Sequence, residues 1–191
     1  YVLNGTKRFI TNAPQAGIYT VMARTDPAIR GAGGISAFVV ERGTPGLSLG
    51  KPDRKMGQKG AHTCDVIFDD CRVPAENLIG VENAGFACIM ANFQSERLAL
   101  AVMANMTAQL ALEESLRWAR EREAFGKPIG KFQVLRHRLA EMATQLEVSR
   151  EFTYRQAAKM AAGKSVIKEI SMAKNFATDV ADLLTYDAVQ V

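Results

Sequence analysis

Phe68-Asp69-Asp70-Cys71-Arg72-Val73-Pro74-Ala75-Glu76-Asn77-Leu78-Ile79-Gly80 is where one kind of chain turns into another. Before it, apolar runs are short, rich in β-branched and aromatic residues, and separated by Gly, Pro, Asn and Asp, the pattern of strands and tight turns. After it, helix formers run almost unbroken to Val191. Strand grammar stops after Val73-Pro74, and Asn77 to Gly80 reads as a linker. The boundary falls near residue 80. The chain is therefore α+β, with a β domain over residues 1–80 and a helical domain over residues 81–191.

Working back from the boundary, strands are expected at Ile18–Arg24, Ile35–Glu41, Leu47–Leu49 and Cys64–Phe68. Gly31 to Gly34 and Thr44-Pro45-Gly46 separate them, which predicts an antiparallel barrel or sandwich. Tyr1-Val2-Leu3 and Thr6 to Ile10 flank Asn4-Gly5, a pair suited to the positive φ angles of a hairpin turn. Working forward, helices are expected over Asn83–Gln94, Ser95–Arg122, Lys131–Ala162 and from Ser165 onward, with Gly163 as an end signal. Phe132, Leu135, Leu139, Met142 and Leu146 recur at spacings of three and four, the apolar seam of an up-and-down bundle.

Composition excludes several classes. The 191 residues are 48% hydrophobic and 23% charged, values of an ordinary folded chain. The net charge of +4 includes no long basic run, so no nucleic-acid partner is expected. Cys64, Cys71 and Cys88 are odd in number and lack Cys-x-x-Cys spacing, and His62 and His137 have no clustered acidic ligands. No disulfide framework and no metal are expected, and a reducing compartment fits. No apolar run is long enough for a membrane span and no signal segment opens the chain, which places it in the cytosol or a matrix. The start without methionine and the end inside a periodic apolar segment read as a fragment.

Three stretches carry chemistry. Glu96, in Phe93-Gln94-Ser95-Glu96-Arg97-Leu98, enters an otherwise apolar helical stretch. It is either a first-turn glutamate favoured by the helix dipole or a general base in a partly apolar cleft. Phe9-Ile10-Thr11-Asn12 ends a strand. Either it is core and turn, or Phe9 and Thr11, sharing one strand face, present a ring and a hydroxyl to a flat heterocycle. Arg122 to Gln133 breaks the helices with two glycines and a proline. A plain helical turn has no need of Arg122, Phe125 and Gln133 around them. The arginine fork suits a pyrophosphate, or it is simply a cation at a helix C-terminus. Rossmann, P-loop and nucleophile-elbow fingerprints are absent.

Taken together, these stretches resemble the acyl-CoA dehydrogenase family over essentially the whole chain. The resemblance rests on Asn4-Gly5 through Asn12, Lys55-Met56-Gly57, Phe68-Asp69-Asp70 with Val73-Pro74, and Gly85-Phe86. It continues through Glu96-Arg97-Leu98, Arg122 to Gln133 and Asp187-Ala188-Val189-Gln190. It implies the family's middle β domain followed by most of its C-terminal helical domain. It also implies FAD, with Phe9, Ile10 and Thr11 at the isoalloxazine and its N5 edge. The family often has tryptophan where Phe9 stands. Arg122, Phe125 and Gln133 match positions that hold the pyrophosphate and adenosine of an FAD bound mainly by a neighbouring subunit, and Gln190 matches another contact to that FAD. A homotetramer built as a dimer of dimers is implied.

The chemistry implied is removal of an α-proton from an acyl-CoA thioester and transfer of the β-hydrogen to flavin N5, giving a trans-2-enoyl-CoA. Electrons then pass to an electron-transfer flavoprotein. Many members place the base near the C-terminus, whereas long-chain and isovaleryl types place a glutamate where Glu96 stands. That makes Glu96 the expected catalytic base and Arg97 the expected substrate-side cation. The Glu82 to Phe86 and Glu96 to Leu98 contexts look most like long-chain or branched-chain members. The same fold also admits an oxygen-using acyl-CoA oxidase or flavin monooxygenase, and a noncatalytic acyl-CoA-binding or assembly protein is the reading from another class.

Overall fold

The computed structural model describes residues 1–191, which divide into two compact units, Tyr1–Met90 and Ala91–Val191. In the first, strands β1 (Val2–Thr11), β2 (Ile18–Arg24), β3 (Ile35–Glu41), β4 (Leu47–Leu49), β5 (Thr63–Arg72) and β6 (Leu78–Ile79) form two antiparallel sheets, ordered β1-β5-β4 and β2-β3-β6. Alternate residues of β3, and of β5 as far as Phe68, turn inward, so Phe38, Val40, Cys64, Val66 and Phe68 meet in one core with Cys71, Leu3, Tyr19 and Val21. Each large apolar side chain removed from water here contributes about 1.5–3 kcal/mol. The one phenol in this core, Tyr19, donates its hydroxyl to the Ala13 carbonyl at 2.8 Å.

Two local expectations are corrected here. Asn4-Gly5 makes no hairpin: β1 runs through it, and the irregularity lies opposite, where β5 has an extra residue between the pairs Leu3↔Cys71 and Gly5↔Phe68. Asp70 takes a positive φ of 45°. The Asn4 amide donates to the Asp70 carboxylate at 3.0 Å, and the Asp70 N–H donates back to Asn4 Oδ1 at 2.7 Å. The Asn-Gly pair thus braces a bulge. Nor is Asn77 to Gly80 a bare linker. Leu78 and Ile79 pair with Phe38 and Ala37 as the edge of the second sheet, after a short 3-10 turn at Ala75–Asn77.

Helix α1 (Gly85–Glu121) is one continuous helix of 37 residues, not the expected two. Ser95, read as a helix start, instead donates its hydroxyl back to the Asn92 carbonyl at 2.8 Å and stays inside the helix. The helix begins where Asn83 is held: its N–H donates to Ser36 Oγ at 2.7 Å and its Oδ1 accepts from the Thr25 hydroxyl at 2.6 Å. Gly85 then lies so close to β3 that a Cβ would come within 2.6 Å of Ala37 N.

In the second unit, α2 (Gln133–Ala161) and α3 (Ile167–Gln190) pack with the later part of α1. The expected seam is the packing face: Leu139, Met142 and Leu146 are buried and Phe132 and Leu135 flank them, against Leu112, Val180 and Leu184. Helix α2 stops at Ala161, and Gly163, φ 70°, turns the chain just past the cap residue Ala162, where Gly163 N–H reaches Met160 O and Lys164 N–H reaches Lys159 O. This paired closure satisfies the last carbonyls. Inside the packing, Asn105 of α1 accepts from Ser149 Oγ at 2.5 Å and donates to Thr153 Oγ1 at 3.0 Å. No helix is long and apolar enough to cross a membrane.

Candidate functional site

The end of β1 carries the first group. Between the pairs Lys7↔Val66 and Ile10↔Cys64, β1 has one residue more than β5, and Phe9 sits in this bulge at φ 59°. Phe9 and Thr11 are both exposed, Phe9 by 69%, while Ile10 between them packs on the core, the out-in-out order of a strand. The Arg8 guanidinium lies 4.6 Å from the Phe9 ring centre and reaches Asp65 and Asp53 at 2.8 Å each. Hydrogen bonding to Asp65, with both carboxylates nearby, pushes the already high pKa of Arg8 further up. A fixed cation thus holds the exposed ring. Asn12 N–H closes the segment on the His62 carbonyl at 2.7 Å.

The second group is the Arg122 to Gln133 break, which has structure that periodicity could not show. Glu123–Ala124 (β7) pairs with Lys127–Pro128 (β8) around Phe125, φ 52°, and Gly126, φ 77°. Two successive positive φ angles make a tight hairpin turn, and the second is natural to glycine. Ile129 N–H to Arg122 O at 2.8 Å draws the two ends together. Ile129 is buried, and a Cβ on Gly130 would come within 2.9 Å of Ala119 O, so the loop is pinned to the helical unit. Its tip points outward. Phe125 is 96% exposed, edge-on to Phe132 at 6.2 Å, and Arg122 is exposed, makes no ion pair and stands 6.0 Å from the Trp118 ring.

Gln133 opens α2, exposed, and the helix start has no side-chain cap. Gln190 closes α3, also exposed. Arg138 of α2 and Asp187 of α3 pair at 3.5 Å, which sets Gln133 and Gln190 at the same end of these two helices.

Glu96 is exposed on α1 and accepts from the Asn92 side-chain amide at 2.5 Å, one turn earlier. Arg97 is half-buried, its guanidinium 5.4 Å from the Phe93 ring centre. Gln94 has a buried Oε1 without a partner. Asn92 and Gln94 escaped sequence reading, although the i,i+4 spacing of Asn92 and Glu96 was a usable signal. No group of three or more His, Cys, Asp or Glu side chains could hold a metal ion.

Each unit by itself offers groups whose chemistry fits one part of a dinucleotide with a flat heterocycle. Phe9 and Thr11 offer an exposed ring and hydroxyl, Arg122 an unpaired guanidinium for an anion, and Phe125 a second exposed aromatic face.

Comparison with known proteins bears on both units. A family model described as the acyl-CoA dehydrogenase middle domain matches residues 1–71, and one described as its C-terminal domain matches residues 83–191. A Bacillus subtilis (strain 168) acyl-CoA dehydrogenase is 44% identical over all of this chain, covering 50% of the relative. The solved butyryl-CoA dehydrogenase of Megasphaera elsdenii superposes with a TM-score of 0.94 at 41% identity, over all of this chain and 49% of that one. A chain solved in work on the electron transferring flavoprotein of Acidaminococcus fermentans gives a TM-score of 0.93 at 44% identity, over all of this chain and 50% of that one. The chain thus spans about half the length of the proteins it matches.

Proposed function

Because the chain belongs to the acyl-CoA dehydrogenase family, we propose that the complete protein is an FAD-dependent dehydrogenase converting acyl-CoA thioesters to trans-2-enoyl-CoA. The observation that carries this reading is the agreement of both units, in order and along nearly the whole chain, with the two domains of that family. FAD, when bound, supplies the acceptor for the β-hydrogen. Everything else is work for side chains.

Glu96 takes the α-proton on its carboxylate. Its exposed position on α1 and the amide of Asn92 support that role, because a base must reach substrate and be aimed at it. Arg97 binds on the substrate side. Phe9 and Ile10 form the apolar wall for the heterocycle, and the Thr11 hydroxyl donates to its edge. Arg122 grips the pyrophosphate as a fork, Phe125 covers the adenosine, and Gln133 and Gln190 add polar contacts from the same end of α2 and α3. These four residues serve the FAD of a neighbouring copy in a dimer of dimers.

The electron acceptor is an electron-transfer flavoprotein, a reading supported by the similarity to the chain from the Acidaminococcus fermentans work. The protein works in the cytoplasm, or in the mitochondrial matrix if eukaryotic. The Glu96 context favours long or branched acyl chains, while the similarity to a butyryl-CoA dehydrogenase favours short ones. Relative kcat/KM over straight and branched acyl-CoAs decides between them.

The decisive experiment replaces Glu96 by Gln in the complete protein. Flavin bleaching by acyl-CoA is expected to fall by about two to four orders of magnitude, as for loss of a general base, with FAD content unchanged. Unchanged bleaching overturns the assignment, and fast reoxidation by oxygen moves the protein to the oxidase branch.

A further inference from the structure

At the bulge in β1, Arg8 and Phe9 together stand opposite a single residue of β5, Asp65. The ladder pairs on either side, Lys7↔Val66 and Ile10↔Cys64, place Val66 and Cys64 toward the core. Arg8, Phe9 and Asp65 therefore share the other side of the sheet. Such a bulge leaves open which of its two side chains answers the residue across the ladder. Charge decides it here. The Arg8 guanidinium donates through Nη1 to Asp65 Oδ1 and through Nη2 to Asp53 Oδ1, at 2.8 Å each. Phe9 takes the remaining place at φ 59°, a left-handed conformation costly for a bulky side chain. Its ring centre lies 4.6 Å from the same guanidinium.

Both carboxylates stand on fixed backbone. Gly50 N–H donates to the Asp65 carbonyl at 3.0 Å, and a Cβ on Gly50 would come within 3.0 Å of Asp65 Cβ, so the chain leaving β4 lies tight against this residue. Asp53 N–H donates to the Thr63 carbonyl at 2.8 Å. Two carboxylates aimed at one place repel each other unless a cation lies between them. Asp53 Oδ2 is buried without a partner of its own, so that carboxylate depends on Arg8.

Ion pairs of a half-exposed arginine contribute little to stability, so stabilisation alone is a poor account of this clamp. Its geometric effect is larger. A guanidinium with both arms held has a definite plane and place, and it attracts the face of an adjacent aromatic ring. Phe9 keeps its strained backbone only where its surroundings over-determine it, and the clamped neighbour is part of those surroundings. A ring already set in its bound pose loses less freedom when a ligand arrives.

We propose that Arg8 is a positioning residue for the flavin: clamped by Asp53 and Asp65, it holds the Phe9 ring in the pose that meets the isoalloxazine. The inference rests on the reading of Phe9 to Thr11 as the flavin-contacting strand end, and it adds to that reading residues that act through Phe9.

The test titrates the complete apoprotein with FAD, followed by flavin fluorescence, and needs no turnover. Phe9→Ala removes the ring and Arg8→Gln removes the clamp, and each is expected to raise the Kd for FAD by about 3- to 30-fold. Without the clamp the ring is no longer placed. Phe9→Ala in the Arg8→Gln background should therefore change Kd by less than about 2-fold. Arg8→Lys keeps a cation but replaces the two-armed fork by one ammonium, and should recover part of the loss. A purely stabilising Arg8 lowers the melting temperature of the apoprotein and leaves the two effects on Kd independent. Independent effects that multiply in the double variant, or a wild-type Kd for Arg8→Gln, overturn the proposal while Phe9 keeps its place at the flavin. A wild-type Kd for Phe9→Ala overturns the strand-end reading itself and the proposal with it. Arg8→Gln leaves two carboxylates facing each other. If that chain fails to fold, the combined variant Arg8→Gln, Asp53→Asn, Asp65→Asn, with no charges left to oppose, takes its place in the same comparison.

Discussion

The side-chain amide of Asn92 donates to Glu96 Oε1 across one turn of α1, so the carboxylate expected to take the proton is restrained from its own helix. Asn92→Ala frees it. In the complete enzyme kcat is expected to fall about 10-fold with KM for acyl-CoA and FAD content little changed, because what is lost is orientation rather than binding. In a Glu96→Gln background the same change should do almost nothing, since coupled residues are not additive. An equal loss in both backgrounds, from steady-state kinetics, counts against a positioning role for Asn92.

Arg122 is an exposed, unpaired guanidinium at the base of the β7–β8 hairpin. If it grips a pyrophosphate, Arg122→Ala removes charge-assisted hydrogen bonds worth about 1.5–3 kcal/mol, and the Kd for FAD should rise by about 10- to 100-fold. Arg122→Lys keeps the charge but not the fork and should fall between. Fluorescence titration of the apoprotein with FAD reads both, and equal affinities for all three proteins would remove Arg122 from the cofactor site.

The buried cluster of Asn105, Ser149 and Thr153 ties α1 to α2 through side chains alone. Asn105→Leu leaves two hydroxyls to rearrange in an apolar setting. Ser149 loses its acceptor, while Thr153 still donates to the Ser149 carbonyl at 2.8 Å. The cost should be about 1–3 kcal/mol, the penalty of unsatisfied buried polar groups. Denaturant unfolding measures it, and additional replacement of Ser149 by Ala should recover part of the loss.

Cys64 and Cys71 lie fully buried in the β core, and burial pushes both thiols up from their usual range. A thiol pKa raised by folding means that the unfolded chain gives up its protons first. The associated stability is complete below the unfolded thiol pKa of about 8.5 and is lost as pH rises through the higher folded values. Unfolding midpoints should hold through neutral pH and drop in alkali, with less of a drop for a Cys64→Ala, Cys71→Ala protein. In the native state only exposed Cys88 should react readily with iodoacetamide, which mass spectrometry can verify.

Much of the architecture is written locally. The change of pattern across Phe68 to Gly80 separates strands from helices. The strands Ile18–Arg24, Ile35–Glu41 and Leu47–Leu49 stand where alternation and turn residues put them. The seam from Phe132 to Leu146 is the packing face of α2 because helical periodicity alone gathers those side chains on one side. Glycine and proline likewise announced a break after Arg122, and the exposed Arg122, Phe125 and Gln133 could be named from composition and spacing.

Other features depend on partners far away in sequence. Asn4-Gly5 has the chemistry of a hairpin turn, yet Gly5 pairs with Phe68 and Asn4 bonds Asp70, so the residues of β5 decide that β1 runs straight through. Leu78 and Ile79 are a strand only because β3 offers them an open edge. The outward turn of Phe9 comes from an extra residue counted against β5, which no pattern within β1 contains. Alternation, periodicity and turn propensity act over a few residues and are legible in the chain itself. Register and bulges are settled when two distant segments share one ladder of hydrogen bonds, and only the tertiary structure brings those segments together.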